Sequence, residues 1–234
     1  MPNWCYNSLI IEGEPDVILD MKQTLNKPFT KKHDTWNRET NQMEVVDTQY
    51  TNPVFAFHNI YNHLEDGVSD EEYMTQPDRN LPLQEQLMFK GNHWYDWNVR
   101  NWGTKWDVAV YDKEEYPDTE LVVDKEDTIQ YRFNTAWSPP IEVITKLSNK
   151  YPQCEMTLSY EEETGWGGEV VFSDGESTEV EHYQNKCRDC DSTDTLEYCD
   201  NDCGEICSKC HYLGEADLEF VAECEVHREY LPVD

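Results

Sequence analysis

Positive charge is what this sequence has least of. Only 18 Lys and Arg stand against 49 Asp and Glu, a formal net charge of −31 over 234 residues. A surface of that sign repels phosphate backbones and anionic headgroups, which argues against a generic DNA binder, so neither direct nucleic-acid binding nor a membrane partner is expected. Long apolar runs are also missing. No stretch approaches the roughly 18 residues of a membrane helix and no basic-then-apolar leader opens the chain, so a cytoplasmic protein is expected. The signatures of phosphate and hydrolase chemistry are absent as well: no Walker loop, no G-x-G-x-x-G, no G-x-S-x-G and no H-E-x-x-H. No catalytic residue is assigned on motif grounds, and the reading leans against an enzyme. Core-forming side chains, by contrast, are plentiful. With 38% apolar residues, 12% aromatics and eight Trp, the chain carries enough for a buried core.

The acid is unevenly spread. Residues 1–152 have a net charge of −12 and residues 153–234 a net of −19, with no Lys or Arg between 151 and 185. A solvated surface explains the first part; the second is equally a solvated surface or a face that recruits a basic partner.

Periodicity outlines the elements. Asn3–Glu12 reads as a strand with Trp4, Tyr6, Ser8 and Ile10 on one face, and Gly13 ends it. Pro15 opens a helix with Val17, Ile18, Met21 and Leu25 at helical spacing, stopped by Pro28. From 29 to about 92 the pattern is irregular and polar, the look of an insertion. Trp94, Trp97 and Val99 then mark a short helix with Gly103 suited to its end, and Trp106–Tyr111 continues as a strand. Thr128–Trp137 alternates as the next strand, and Ser138-Pro139 caps a helix with Ile141, Ile144 and Leu147 inward. Cys154–Tyr160 and Glu169–Val170–Val171–Phe172 follow as strands on either side of a glycine turn. The first six regular elements run βαββαβ, so the expected class is α+β: a ferredoxin-like sheet with two helices on one face.

Three segments carry a resemblance. Met-Pro-Asn-Trp-Cys-Tyr-Asn at the start, Asn101–Asp107 (Asn-Trp-Gly-Thr-Lys-Trp-Asp) and Thr135–Pro140 (Thr-Ala-Trp-Ser-Pro-Pro) resemble the YubB-type ferredoxin-like family of phage and plasmid proteins. The resemblance spans about residues 1–175. It implies a ferredoxin-like domain over 1–178, with the insertion at about 29–92, and an origin in a mobile element acting in the bacterial host cytoplasm. It implies no activity.

Nine cysteines, an odd number, argue against a disulfide framework. Cys5 and Cys154 fall in expected strands and read as small buried hydrophobes. The other seven crowd between 187 and 224. Cys187-x2-Cys190 and Cys207-x2-Cys210 are two knuckles sixteen residues apart, the spacing of a Zn²⁺ thiolate tetrahedron. Cys199, Cys203, Cys224 and His227 are donors for a second site. The run from Cys187 to Cys210 is similar to the cross-braced B-box zinc module, which accepts Asp at its fourth position, so Asp202 competes with Cys203. A B-box ends with two His soon after its third pair, whereas here Cys224 and His227 come later. One or two structural zincs are expected in an acidic module over 179–234. No open coordination position with a neighbouring base is evident.

Trp94, Trp97, Arg100, Trp102 and Lys105, clustered with Trp106, form a second candidate site. These rings and cations suit stacking with a base or nucleotide, but they suit a core junction between helix and sheet better, because buried Trp supplies large apolar area there. A Pro2 amine, the Glu161–Glu163 acid pair and a calcium loop at Asp200–Gly204 were each set aside as unsupported. Two functions remain open from the sequence. One is a non-enzymatic phage or mobile-element accessory protein that binds a basic host protein through its acidic surface, for counter-defence or host takeover, with mimicry of DNA a special case. The other is a small-ligand binder or enzyme using the tryptophan-rich region.

Overall fold

The computed structural model describes residues 3–75, 80, 91–109, 118–184, 196–198 and 205–207. The chain forms two compact units, Met1–Glu163 with Gly167–His182, and Thr164–Trp166 with Tyr183–Asp234.

Strand β1, Trp4–Glu12, alternates as expected: Cys5, Asn7, Leu9 and Ile11 are buried, and Tyr6 on the opposite face is exposed. Helix α1, Pro15–Leu25, starts on its proline and buries Ile18, Met21 and Leu25. Strands β4 (Thr119–Asp124), β5 (Thr128–Ala136), β6 (Glu155–Glu162), β7 (Trp166–Ser173) and β8 (Glu176–Gln184) join β1 in one sheet of order β4-β5-β1-β6-β7-β8. Taken alone, β1, β4, β5 and β6 stand in the order fourth, first, third, second, with antiparallel pairing throughout. That is the ferredoxin-like arrangement, lengthened by β7 and β8. The register sets Leu9 beside Tyr131 and Leu158, and Ile11 beside Ile129 and Met156. All six are buried, so a one-residue slip of β1 would turn its apolar row to water. The second frame helix, Ile141–Lys150, buries Val143, Ile144, Leu147 and Ser148.

Four expectations need correction. Residues 106–109 are not a strand; the second frame strand is β4. The cause is Asp107, whose carboxylate accepts the amides of Val108 and Ala109 and so diverts that backbone from a ladder. Ser138 does not cap the frame helix: its hydroxyl donates to the Gly103 carbonyl at 2.6 Å, and Pro140 holds the cap position. Ile141 is half-buried, with Val143 taking its inward place. The region from 29 onward is not irregular. It contains a hairpin of β2 (Phe29–Asn37) and β3 (Gln42–Tyr50), paired from Phe29↔Tyr50 to Asn37↔Gln42, then helices α2 (Phe57–Ile60), α3 (Asp70–Met74) and α4 (Trp94–Trp102). The frame helix Ile141–Lys150 is α5 in this order.

This inserted part fills the core. Phe55, Ala56, Phe57 and Ile60 are fully buried; the Phe55 ring stacks on Tyr131 at 4.8 Å, and Phe57 meets Phe133 edge-on at 5.9 Å. At about 1.5–3 kcal/mol for each fully buried large side chain, the insertion contributes to the stability of the sheet it interrupts. Cys5 and Cys154 are buried thiols, and burial pushes Cys5 up to about 12.

In the second unit, β9 (Leu196–Tyr198) pairs antiparallel with β10 (Glu205–Cys207), Tyr198 opposite Glu205 and Leu196 opposite Cys207. Among the described residues, no helix is long and apolar enough to cross a membrane.

Candidate binding surface

Three segments far apart in sequence meet at one end of β1 and β5. The Trp137 amide donates to the Asn3 carbonyl at 2.9 Å, carrying the β1–β5 pairing one step past the strand. Thr104 donates its hydroxyl to the Ala136 carbonyl at 3.0 Å, and Ser138 reaches Gly103 from the other side. Asn7 donates to Thr135 Oγ1 at 2.9 Å, and Thr135 in turn donates to the Ser138 carbonyl at 2.7 Å. Gly103, at φ 81°, ends α4 in the left-handed region, which turns the chain back toward this junction.

The junction presents aromatic rings to solvent. Tyr95, Trp106 and Trp137 are 36%, 37% and 43% exposed. Between them lies Lys105, its ammonium 4.4 Å from the Trp106 centroid, 4.7 Å from Trp137 and 5.9 Å from Tyr95. Trp4 closes one side, 6.0 Å from Trp106. A cation over three ring faces fixes the rings in place. Trp137 has φ 72°. A bulky residue in the left-handed region costs on the order of 1 kcal/mol or more, and such strain collects where a surface has a task.

Beside this surface, and sharing Trp106 with it, is a cleft of about 160 Å³ walled by Trp94 and Trp106, floored by Tyr73 and Asn98 and edged by Lys31, Lys32 and His33. The floor is rigid: the Tyr73 hydroxyl donates to Asn98 Oδ1 at 2.7 Å, and Asn98 Nδ2 donates to the Lys105 carbonyl at 2.8 Å. Lys32 is paired with Asp47 at 2.7 Å. Lys31 rests its ammonium 4.9 Å above the buried Trp102 ring, and burial lowers its pKa against the pull of Asp107. Behind the cleft, Asp107 accepts four backbone N–H groups: Oδ1 takes Phe57, Val108 and Ala109 at 2.8, 2.8 and 3.2 Å, and Oδ2 takes His58 at 3.0 Å. The His58 ring stacks on Phe29 at 4.3 Å, and burial brings its pKa down to about 4. His63, stacked on Tyr73 and bonded to Asp70 at 2.9 Å, is lowered for the same reason.

Residues 105–201 match the family model described as the ferredoxin-like domain in Api92-like protein. The fold is ferredoxin-like. The match begins at Lys105, inside the aromatic surface, and runs through the five strands β4–β8, so β1 joins the ferredoxin-like sheet from outside the matched range. A solved structure of the protein api92 from Yersinia pseudotuberculosis is similar at 12% identity with a TM-score of 0.43, over 80% of this chain and 99% of that one. No curated protein matches the chain.

The ferredoxin-like unit divides the tryptophan-rich candidates between core and surface. Trp97 and Trp102 are 0% and 1% exposed: the Trp97 indole donates to Asp66 at 2.9 Å, and Trp102 donates to the Tyr61 carbonyl at 2.8 Å. Trp94 lines the cleft and Lys105 stands in the ring cluster, whereas Arg100 is exposed and lies near Asp66. Trp137, Trp4, Tyr95 and Lys31 are the surface residues that sequence reasoning did not name as a site. The signal for the first two was present, because both sit in the segments that carry the resemblance; Tyr95 and Lys31 had none. Of the zinc candidates, Cys187, Cys190, Cys199, Asp202, Cys203, Cys210, Cys224 and His227 lie outside the described residues, and Cys207 is the last residue of β10. Among the described residues, no three His, Cys, Asp or Glu side chains gather as a metal site.

Proposed function

We propose that this is a non-enzymatic accessory protein of a phage or mobile element, of the YubB type, that binds a host protein with a basic face. Its contact surface is the ring cluster of Tyr95, Trp106 and Trp137 around Lys105. The observation that carries the reading is Trp137, which is exposed and yet held at φ 72°. Folding gains little from an indole left in water, and the backbone would be more comfortable with glycine there. Exposed Trp and Tyr are the side chains that dominate contact energies between proteins. The net charge of −31 supplies long-range attraction toward a basic partner and repels nucleic acid. Counter-defence or host takeover is the setting that fits such a factor, and a target that itself binds DNA would make the acidic surface a competitor of DNA. The cysteine-rich end is a zinc-stabilised module in this reading. Cys187, Cys190, Cys207 and Cys210 hold the first metal; Cys199, Asp202 or Cys203, Cys224 and His227 are the donors for a second.

The test pairs two variants with salt. Immobilised protein is exposed to bacterial lysate, and the retained partner is identified by mass spectrometry and purified. Trp137→Gly relieves the left-handed backbone, so its stability should stay within about 1 kcal/mol of wild type while partner affinity falls at least about tenfold. Trp106→Ala should lose affinity too, and the wild-type complex should weaken as salt rises. Affinity untouched by both variants and by salt would sink the reading.

A further inference from the structure

The β2–β3 hairpin has one side docked and one side open. At its base the Phe29 ring stacks on Tyr50 at 4.6 Å and on His58 at 4.3 Å, and the Lys31 ammonium lies over the Trp102 ring. Phe29, Lys31, Thr48 and Tyr50 share that docked side, because directly paired residues and residues two apart on a strand point the same way. The opposite side carries Lys32 and Trp36 on β2 and Met43, Val45 and Asp47 on β3, with Trp36 directly across from Met43. Trp36, Met43 and Val45 are each more than half exposed. Three large apolar side chains next to one another in water form a contiguous patch, the kind of surface that marks contact with another molecule. A packed face would also steady the hairpin, since two strands alone are marginal in water. Among the described residues, β2 and β3 pair only with each other.

Charge selects what covers the patch. Residues 29–50 hold three Lys or Arg and four Asp or Glu, a net of −1 in a chain of −31. On the open side Lys32 and Asp47 cancel each other at 2.7 Å. A basic partner is drawn to the acid elsewhere, whereas two copies of this chain meet at the hairpin against little repulsion. The open side is also self-complementary. Opposite charges bracket the patch at both ends, Lys32 with Asp47 toward the base and the exposed Arg38 with Glu39 at the turn. A two-fold axis through the patch lays one mixed pair over the other, so each charge can meet its opposite, as a contact between identical surfaces requires. We infer that the open side of the β2–β3 hairpin packs against the same side of a second copy, in a symmetric two-layer contact centred on Trp36, Met43 and Val45. This contact is independent of the partner-binding reading, because Tyr95, Trp106 and Trp137 lie outside the hairpin, and it responds to salt in the opposite sense.

The experiment is sedimentation equilibrium of the full chain, kept reduced and free of chelator, at concentrations up to about 500 µM. Three half-exposed side chains per copy put the contact at the small, weak end of protein interfaces, so a dimer with Kd on the order of 100 µM is expected at about 0.5 M NaCl. At about 0.05 M NaCl the like charges of the two copies are less screened, and the dimer should weaken at least about threefold. Trp36→Ser and Val45→Lys should each weaken it at least about tenfold. Leu64→Ser removes an equally exposed apolar side chain outside the hairpin and should leave it unchanged. All three positions face water, and near-UV circular dichroism of each variant reports that the fold is kept, so a loss of dimer is read only from folded protein. A monomer at every concentration, a dimer that tightens as salt falls, a dimer indifferent to both hairpin variants, or one weakened as much by Leu64→Ser would overturn the assignment.

Discussion

Removal of the Asp107 carboxylate should be among the most damaging single changes in the ferredoxin-like unit, although the residue is neither in the sheet nor fully buried. Its two oxygens accept four backbone amides, and three of the donors, on Phe57, Val108 and Ala109, belong to residues no more than 8% exposed. A buried donor left without an acceptor costs about 1–3 kcal/mol. Relaxation and partial hydration at the half-buried His58 bring the whole below the simple sum, so Asp107→Ala should destabilise by about 3–5 kcal/mol. Asp107→Asn separates geometry from charge. An amide whose oxygen takes the Oδ1 place keeps Phe57, Val108 and Ala109, and turns its NH₂ only against the His58 amide. That variant should lose about 1–2 kcal/mol. Urea unfolding followed by tryptophan fluorescence is the assay, because seven of the eight Trp lie in the larger unit. The Ala variant should also redden the native emission, as Trp106 is released with its neighbour. A cost below about 1 kcal/mol for Ala, or equal costs for Ala and Asn, would refute the four-donor account.

Four further outcomes are expected. His58 is held near 4 by burial, with Asp107 and Asp70 opposing and Lys31 and His63 adding to the shift, so between pH 4 and its ordinary 6.5 the unfolded chain binds the extra proton. Stability from this group is therefore complete above about pH 6.5 and lost as pH falls, by about 2–3 kcal/mol at most; thermal melts of His58→Gln should show a flatter acid limb than wild type. Gly103→Ala meets the left-handed backbone, the Glu142 carboxylate and the Pro139 carbonyl, and should cost about 1–2 kcal/mol in the same urea assay. Tyr131 has a buried hydroxyl with no hydrogen-bond partner among the described residues, so Tyr131→Phe should be neutral or stabilising by up to about 1 kcal/mol; a clear loss would reveal a partner. Native mass spectrometry of protein prepared without chelator should show bound zinc, and Cys187→Ser or Cys210→Ser should each remove one metal; an unchanged mass excess would clear those two cysteines of ligation.

How far the fold was legible depended on whether an element's environment is one-sided. β1, α1 and α4 each bury one face, and their apolar spacing, with Pro15 and Gly103 at the ends, outlined them to within a residue or two. The β2–β3 hairpin was hidden because Thr-Lys-Lys-His-Asp-Thr alternates between polar and polar, and neither face carries an apolar row. Residues 106–109 failed for the opposite reason. Trp-Asp-Val-Ala has strand-like composition, but one carboxylate captures the amides the ladder would need. For the site, the tryptophans were visible as a group; their separation into core and surface was not. Trp97 and Trp102 point inward and Trp94 lines the cleft, though all three sit on one nine-residue helix.

Composition and pattern by themselves determined the charge, the α+β class, the frame of two helices on one sheet face and the paired spacing of the cysteines between 187 and 210. These follow from local rules of propensity, periodicity and spacing that need no knowledge of distant contacts. Tertiary structure alone decided that Asn3, Thr104 and Trp137 meet, that Trp137 is exposed in a strained backbone, and that Lys31 lies over the buried Trp102 ring. Those facts arise from pairings between residues tens to more than a hundred positions apart, or from segments of the insertion folding back over the sheet. No local signal in the chain reports which of its rings and charges end up together.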